Sequence, residues 1–185
     1  MNNALPVILQ YISNNSKEPL LIAIDGRCAA GKTTLASIVK EKINCNVIHM
    51  DHFFLQPAQR TEERLQEPGG NVDYERVRKE VLIPLSQGKA FSYKPFDCKS
   101  MKLSAPVRIM PAAVTLIEGS YSCHPVLWDF YDWRIFLDIN PEEQLRRIKC
   151  RNGNEAASVF SNKWIPMEEK YFMEYNIQKR CDLVL

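Results

Sequence analysis

Residues 20–33 read LLIAIDGRCAAGKT, an unbroken apolar run that passes through one acidic residue into a glycine-bounded turn ending in Lys32 and Thr33. The apolar run has strand length and suits a strand covered on both faces. The residues that follow, TTLASIVKEKI, bring Leu35, Ile38, Val39 and Ile43 round at helical spacing. A strand, a turn GxxxxGK[ST] and a helix in that order form a phosphate-binding loop. Glycines at both ends of the turn let successive backbone N–H groups face inward as a nest for phosphate oxygens. The helix adds the positive end of its dipole. Gly26, Arg27, Cys28, Ala29, Ala30, Gly31, Lys32, Thr33 and Thr34 are therefore the candidate residues for the phosphates of ATP. Lys32 can reach the β- and γ-phosphates, and the Thr33 hydroxyl can ligate Mg²⁺. Arg27 and Cys28 fill variable positions, and Cys28 reads as a plain small residue.

The rest of the chain supplies the sheet that such a loop needs. A helix over 4–14 leads in, through Leu5, Ile8, Leu9 and Ile12. NVIHM (46–50), AVTLIEG (113–119) and WRIFLDI (133–139) read as buried strands, and DLVL (182–185) as a fifth. Residues 73–88 are helical with Val77, Val81, Leu82 and Leu85 on one side, and Pro141 opens a helix over 141–151. Asn152-Gly153-Asn154 interrupts that pattern, and a last amphipathic helix covers about 166–178. Strands alternating with helices predict an α/β fold of P-loop type: three layers, about five mostly parallel strands, helices on both faces. The expected organisation is one domain over 1–185, with a short lid at about 152–163. A substrate-side loop over 55–71, exposed by its Pro, Gly and charge content, and a hairpin within 90–110 complete it.

Composition removes several alternatives. With 185 residues the chain can bury a core without disulfides or a structural metal. Lys plus Arg number 24 and Asp plus Glu 22, so the net charge of +2 gives no general reason to bind nucleic acid. The six cysteines, at 28, 45, 98, 123, 150 and 181, include no CxxC pair, which suits reduced thiols and a cytoplasmic setting. No apolar run approaches the roughly 18 residues of a membrane span, so no membrane partner is expected. Self-association is left open.

Ligands of open α/β sheets bind beyond the carboxyl ends of the strands. Asp25, Asp51, Glu118 and Asp138 stand at such ends. Asp25 reads as a brace for the turn and Asp138 as a cap or surface carboxylate. Of the other two, one can serve Mg²⁺ and one can take a proton from an attacking hydroxyl. Asp51 is read as the base and Glu118 as the metal-side carboxylate, although the sequence leaves the two roles exchangeable. Arg147 and Arg151, four apart on one helix face, can steady charge on a migrating phosphoryl group. Arg146 points elsewhere, and Lys163 and Lys170 are weaker cationic candidates. His49, inside a strand, reads as a satisfied core or interface histidine; His52 adjoins Asp51. Trp128, Phe130, Tyr131 and Trp133 read as packing.

Taken together, GRCAAGKTT, MDHFF, NVDYE, TLIEGSY and FLDINPEEQLRRIKCR resemble the uridine kinase family of P-loop kinases, which is itself similar to phosphoribulokinase, nicotinamide riboside kinase and bacterial pantothenate kinase. The segments run in family order over about 20–175. The resemblance implies a phosphotransferase using Mg²⁺ and ATP, with Asp51 as base, Thr33 and Glu118 toward Mg²⁺, and a nucleoside as acceptor. It makes Asp73 a partner of ribose hydroxyls and Tyr93 a wall of the nucleoside pocket, and it matches Arg147 and Arg151 to lid arginines. From its spacing alone Asp73 is a helix N-cap. Two positions depart from the pattern: Phe54 stands where uridine kinases tend to have tyrosine, and Cys98 where they carry histidine. The alternatives are a kinase of another acceptor (pantothenate, nicotinamide riboside, a sugar phosphate) or an ATP-binding regulatory module without transfer.

Overall fold

The computed structural model describes residues 4–185. In chain order, helix α1 (Ala4–Ser13) leads to strand β1 (Leu20–Gly26), helix α2 (Lys32–Lys42) and strand β2 (Cys45–His49). Short helix α3 (Glu62–Gln66) precedes a helical stretch built from α4 (Tyr74–Arg76), a π segment (Val77–Leu82) and α5 (Ile83–Ser86). Strands β3 (Phe91–Tyr93) and β6 (Val107–Ile109) pair antiparallel, as do β4 (Phe96–Asp97) and β5 (Lys102–Leu103) between them. Then come β7 (Val114–Glu118), β8 (Trp133–Leu137), α6 (Pro141–Val159), a second π segment (Phe160–Trp164), α7 (Ile165–Glu174), α8 (Ile177–Arg180) and β9 (Leu183–Val184).

The main sheet has the order β2-β7-β1-β8-β9 with every pair parallel. Alternation along β1 explains its unbroken apolar run. Leu20, Ile22 and Ile24 pack with Ile8 of α1 and with Leu35 and Val39 of α2. Leu21 and Ala23 face the opposite layer, with Val77, Val81, Leu85, Tyr171 and Phe172. Both faces are thus covered, and the expected three layers and five strands are present. The aromatic group expected to pack does so: Tyr11 stacks on Trp133 with ring centroids 4.0 Å apart.

Each π segment is followed by a proline, Pro84 or Pro166. Proline has no N–H to offer the preceding turn, and its ring crowds the carbonyl four residues back. Widening the helix just upstream relieves that crowding.

The 55–71 segment departs from the expected exposed loop. Leu55, Gly69 and Gly70 are buried, and α3 is capped by Thr61, whose hydroxyl accepts from Arg64 N–H at 3.1 Å. The Arg64 guanidinium donates to the carbonyls of Gly70 (3.0 Å) and Val72 (3.2 Å), pairs with Glu75 and lies 4.0 Å over the Tyr74 ring. One arginine organises the segment through backbone contacts, which leave no trace in hydropathy.

Asp25 ties the layers together. Its carboxylate is wholly buried and accepts from the N–H groups of Gly26 (2.7 Å), Tyr121 (3.1 Å) and Cys123 (2.8 Å) and from the Tyr171 hydroxyl (2.8 Å). It is the brace expected from the sequence. Asp25→Ala strands these donors, and we expect it to cost at least about 3 kcal/mol in urea unfolding, whereas Tyr171→Phe, which removes one donor, costs about 1 kcal/mol.

Candidate active site

The loop between β1 and α2 is shaped by two tight positions. Gly26 has φ +127°, and a Cβ there would lie 2.1 Å from the Leu137 carbonyl oxygen of β8. Gly31 has φ +103° and forms the N-cap of α2. The loop folds back over its own lysine: Lys32 Nζ donates to the carbonyls of Gly26 (2.6 Å) and Arg27 (2.9 Å) and lies 3.3 Å from Ser120 Oγ. Those contacts hold the ammonium under the cradle.

Register brings the carboxylates to the same place. Glu118 ends β7, and it pairs with Ile24 of β1 on one side and His49 of β2 on the other. The chain leaving β2 runs directly into Asp51. The strand β7 lies between β1 and β2, so the crevice forms where successive strands part company. Thr33 Oγ1 donates toward both Glu118 oxygens, at 3.1 and 3.2 Å. Asp51 opens onto the crevice, but protein on its other sides removes part of its bulk water. That desolvation, together with the Glu118 charge, raises its pKa above the usual aspartate range.

Cys28, Ala29, Gly31, Lys32, Thr33 and Thr34 line one wall of a cavity of about 300 Å³. Asp51, Glu118, Arg147 and Arg151 line the rest of it with Gly119 and Ser120. The Arg147 guanidinium donates to the Ala29 carbonyl at 3.2 Å and is steadied by Glu143 at 2.7 Å. Arg146 turns outward to Glu143, as its position on the helix required. Gly153, at φ +85° and ψ 171°, breaks α6 just past Arg151, where the sequence pattern broke.

Three residues, Cys28, Asp51 and Ser120, also line a second, larger cavity of about 540 Å³. Its walls include Phe54, Leu65, Met101, Phe160 and Trp164, with Arg60, Asn71, Lys163 and Glu168 as polar groups. Phe54 is therefore on the wall expected of it, and Cys98 is there too. Asp73 and Tyr93 are not. Asp73 is 3% exposed; one oxygen caps α4 by accepting from Arg76 N–H (3.0 Å) and the other accepts from Gln59 (2.7 Å). Tyr93 is buried with its hydroxyl 3.0 Å from His52 Nδ1. The helix-cap reading of Asp73 is the one the geometry follows.

Other residues correct the sequence reading. His49 is not a core histidine: it is half-exposed at the crevice rim, with Nδ1 2.5 Å from Glu118 Oε1, a contact that raises its pKa. Arg27 carries its backbone in the cradle, but its guanidinium is held by Glu169 (2.7 Å) and by Asp138, which answers to the structural role expected of it. Lys170 donates to the Gln66 carbonyl. Burial pushes the Cys28 thiol up to about 12. Glu168 had no motif to announce it, and Ser120 lay in TLIEGSY without a role of its own, yet Glu168 accepts from Cys28 N–H at 3.0 Å and from the Ser120 hydroxyl at 2.5 Å.

Among the described residues no group of three His, Cys, Asp or Glu side chains forms a metal cage. Mg²⁺ is usually held by one or two carboxylates together with substrate phosphates and water. The hydroxyl of Thr33 beside the Glu118 carboxylate is a hard-oxygen pair that fits it. No helix among these residues is long and apolar enough to cross a membrane.

No protein-family model matches the chain. It is 28% identical over 158 residues to a uridine kinase of Ureaplasma parvum, covering 80% of this chain and 76% of that protein. It is 31% identical over 161 residues to nicotinamide riboside kinase 2 of Mus musculus, covering 84% of this chain and 80% of the relative. A solved structure described as a possible uridine kinase from Bacillus stearothermophilus superposes with a TM-score of 0.78 at 20% identity, over 100% of this chain and 98% of that one.

Two glycine substitutions separate crowding from conformational strain. Gly26→Ala drives a Cβ into the β8 backbone and should lower stability by more than about 2 kcal/mol. Gly153→Ala meets open space and pays only for its positive φ, about 1–2 kcal/mol in the same urea titration.

Proposed function

The chain belongs to the uridine kinase-like family of P-loop kinases, and from that footing we propose that it transfers the γ-phosphoryl group of ATP to a hydroxyl of a nucleoside. One observation carries the reading. Lys32, Thr33, Asp51, Glu118, Arg147 and Arg151, drawn from four separate segments, line one cavity that shares Asp51 with a larger, mainly apolar cavity. The first suits a triphosphate tail and the second an acceptor, with a carboxylate at their junction.

The chemistry follows from the placement. The loop amides and Lys32 bind the β- and γ-phosphates. Thr33 and Glu118 would hold Mg²⁺, which supplies charge neutralisation on the phosphate oxygens. The acceptor hydroxyl faces Asp51, which takes its proton as the oxygen attacks phosphorus in line and the bond to the ADP oxygen breaks. Arg147 and Arg151 balance the charge spread over the transferring group. The apolar wall of Phe54, Leu65, Met101, Phe160 and Trp164 suits a flat base. The likeness to nicotinamide riboside kinase 2 puts nicotinamide riboside beside uridine among the acceptors to try.

A second reading has its own observation. Arg60 and Lys163 line the acceptor cavity, and neither pairs with a carboxylate among the described residues. That favours an acceptor bearing an anionic group, such as pantothenate or a sugar phosphate.

A screen for ADP release over ribonucleosides, deoxyribonucleosides, nicotinamide riboside, pantothenate and sugar phosphates, with product masses checked, decides between them. Failure of every nucleoside beside a strong anionic acceptor would replace the first reading with the second. Lys32→Ala should reduce turnover at least about 100-fold. Asp51→Asn should lower kcat by about 10²–10⁴-fold while calorimetry still records ATP binding. Since the base works ionised and its pKa is raised, kcat/KM in the wild type should fall as pH drops through a value above the ordinary aspartate range. That acid limb should vanish in Asp51→Asn, and its persistence there would assign the proton to another group.

A further inference from the structure

Glu118 is 3% exposed at the end of β7, and no Lys or Arg pairs with it among the described residues. Its side-chain donors are Thr33, which reaches both oxygens, and His49, whose Nδ1 lies 2.5 Å from Oε1. An ionised carboxylate only accepts, so His49 donates from Nδ1. The contact follows from register. His49 stands directly opposite Glu118 in the parallel pair of β2 and β7, and both side chains leave the sheet on one face. His49 is also the N-cap of the 3₁₀ turn Met50–Phe53. Such a turn stacks side chains three apart, and His52 lies edge-on to the His49 ring with centroids 5.3 Å apart. His52 Nδ1 is in turn 3.0 Å from the hydroxyl of Tyr93, a residue 3% exposed. The His49 ring is thus held between a carboxylate on one side and a neighbour tied to β3 on the other. Oε1 of Glu118 carries both His49 and Thr33, whereas Oε2 has Thr33 alone.

We propose that His49 is a positioning residue for the cation: by donating to Oε1 it fixes the plane of the Glu118 carboxylate, so that Oε2 is left beside the Thr33 oxygen to take Mg²⁺. Thr33 has only to turn its hydroxyl hydrogen aside to offer a lone pair. A glutamate free to sample its rotamers pays to be ordered when a cation binds, and a partner that orders it beforehand removes that cost. Losing such an outer partner of a ligating side chain typically weakens metal binding by about 10- to 100-fold. The assignment rests on reading Thr33 and Glu118 as the Mg²⁺ side of the site, and it adds a residue one hydrogen bond further out.

The experiment titrates Mn²⁺, a paramagnetic substitute for Mg²⁺, into the full chain holding a non-hydrolysable ATP analogue, and reads bound cation by electron paramagnetic resonance. His49→Ala should weaken Mn²⁺ binding by about 10- to 100-fold. His49→Asn, whose amide N–H falls near the place of Nδ1, should restore it to within about 3-fold of the wild type. Affinity for the analogue in the presence of chelator, measured by calorimetry, should be unchanged in both. Thermal melting establishes that each variant is folded; if the alanine variant is not, His49→Leu keeps the bulk without the donor and takes its place. Unaltered Mn²⁺ affinity in the variant lacking the donor would overturn the assignment. So would an asparagine variant that binds Mn²⁺ no better than the alanine one, or a matching loss of analogue affinity in chelator, since either marks ring packing and nothing more. Glu118→Gln separates the two levels of the argument. Where it leaves Mn²⁺ affinity intact, or the wild type binds no more Mn²⁺ than the free analogue does, the metal-side reading of Glu118 fails and this assignment falls with it. Where it weakens binding and His49→Ala does not, only His49 loses its role.

Discussion

The Asp25 carboxylate has no contact with water, and four donors from three parts of the chain converge on it. Burial pushes its pKa up to about 6, against the pull of those donors and of Lys32. The group sits at the last turn of β1, where the strand must stop being a strand. Its bond to Gly26 N–H starts the phosphate loop. Its bonds to Tyr121 and Cys123 N–H fix the turn that follows Glu118, and its bond to Tyr171 anchors the helix that carries Glu168. The phosphate loop, the turn after Glu118 and α7 thus share one reference point. Replacing that carboxylate by an apolar group leaves N–H groups buried without partners, which costs more than the mean worth of the bonds themselves.

Around this point the charges of the site balance one another. Lys32 is satisfied by loop carbonyls, Arg147 by Glu143 and the Ala29 carbonyl, and Glu118 by Thr33 and His49. The Lys32 and Arg147 contacts are made to carbonyls and to a partly exposed carboxylate, not to deeply buried ion-pair partners. The positive groups come from the loop and α6, the negative ones from the ends of β2 and β7. The crevice is thus cationic along the loop and α6 and anionic at the ends of β2 and β7.

How much of this was legible depended on which physical signal carried it. The strands β1, β2, β7 and β8 announced themselves as apolar runs because the layers on either side cover them; even the short β9 was visible in DLVL. The loop was legible because phosphate binding demands glycine at two places and Lys-Thr at two more. Gly153 showed as a break in the period of α6. What escaped was held together by single polar contacts. Arg64 orders residues 64–75 through carbonyls and a tyrosine ring, and a hydropathy pattern cannot register that. His49 sits in a strand of the right pattern, but its neighbour across the ladder is Glu118, and that neighbour is set by strand order, which the sequence does not spell out. Glu168 belongs to an ordinary amphipathic helix until the fold lays that helix against Cys28. Asp73 shows the converse: the rule for helix caps, applied to its spacing alone, predicts the contact it makes to Arg76 N–H.

Residues 147–168 run from the smaller cavity to the larger one. From Arg147 the chain runs through Arg151, the non-helical Gly153, the π segment with Phe160 and Trp164, and on to Glu168. Both ends are pinned, one by Arg147 on the Ala29 carbonyl and the other by Glu168 on Cys28 N–H, and both pins are on the phosphate loop. Between the two pins, Gly153 has open space around it and a φ that other residues resist. Arg151 lies before Gly153 on the wall of the smaller cavity, and Phe160, Lys163 and Trp164 lie after it on the wall of the larger one. One continuous segment therefore walls both cavities and touches the phosphate loop at each end, so the two cavities are built on the same support.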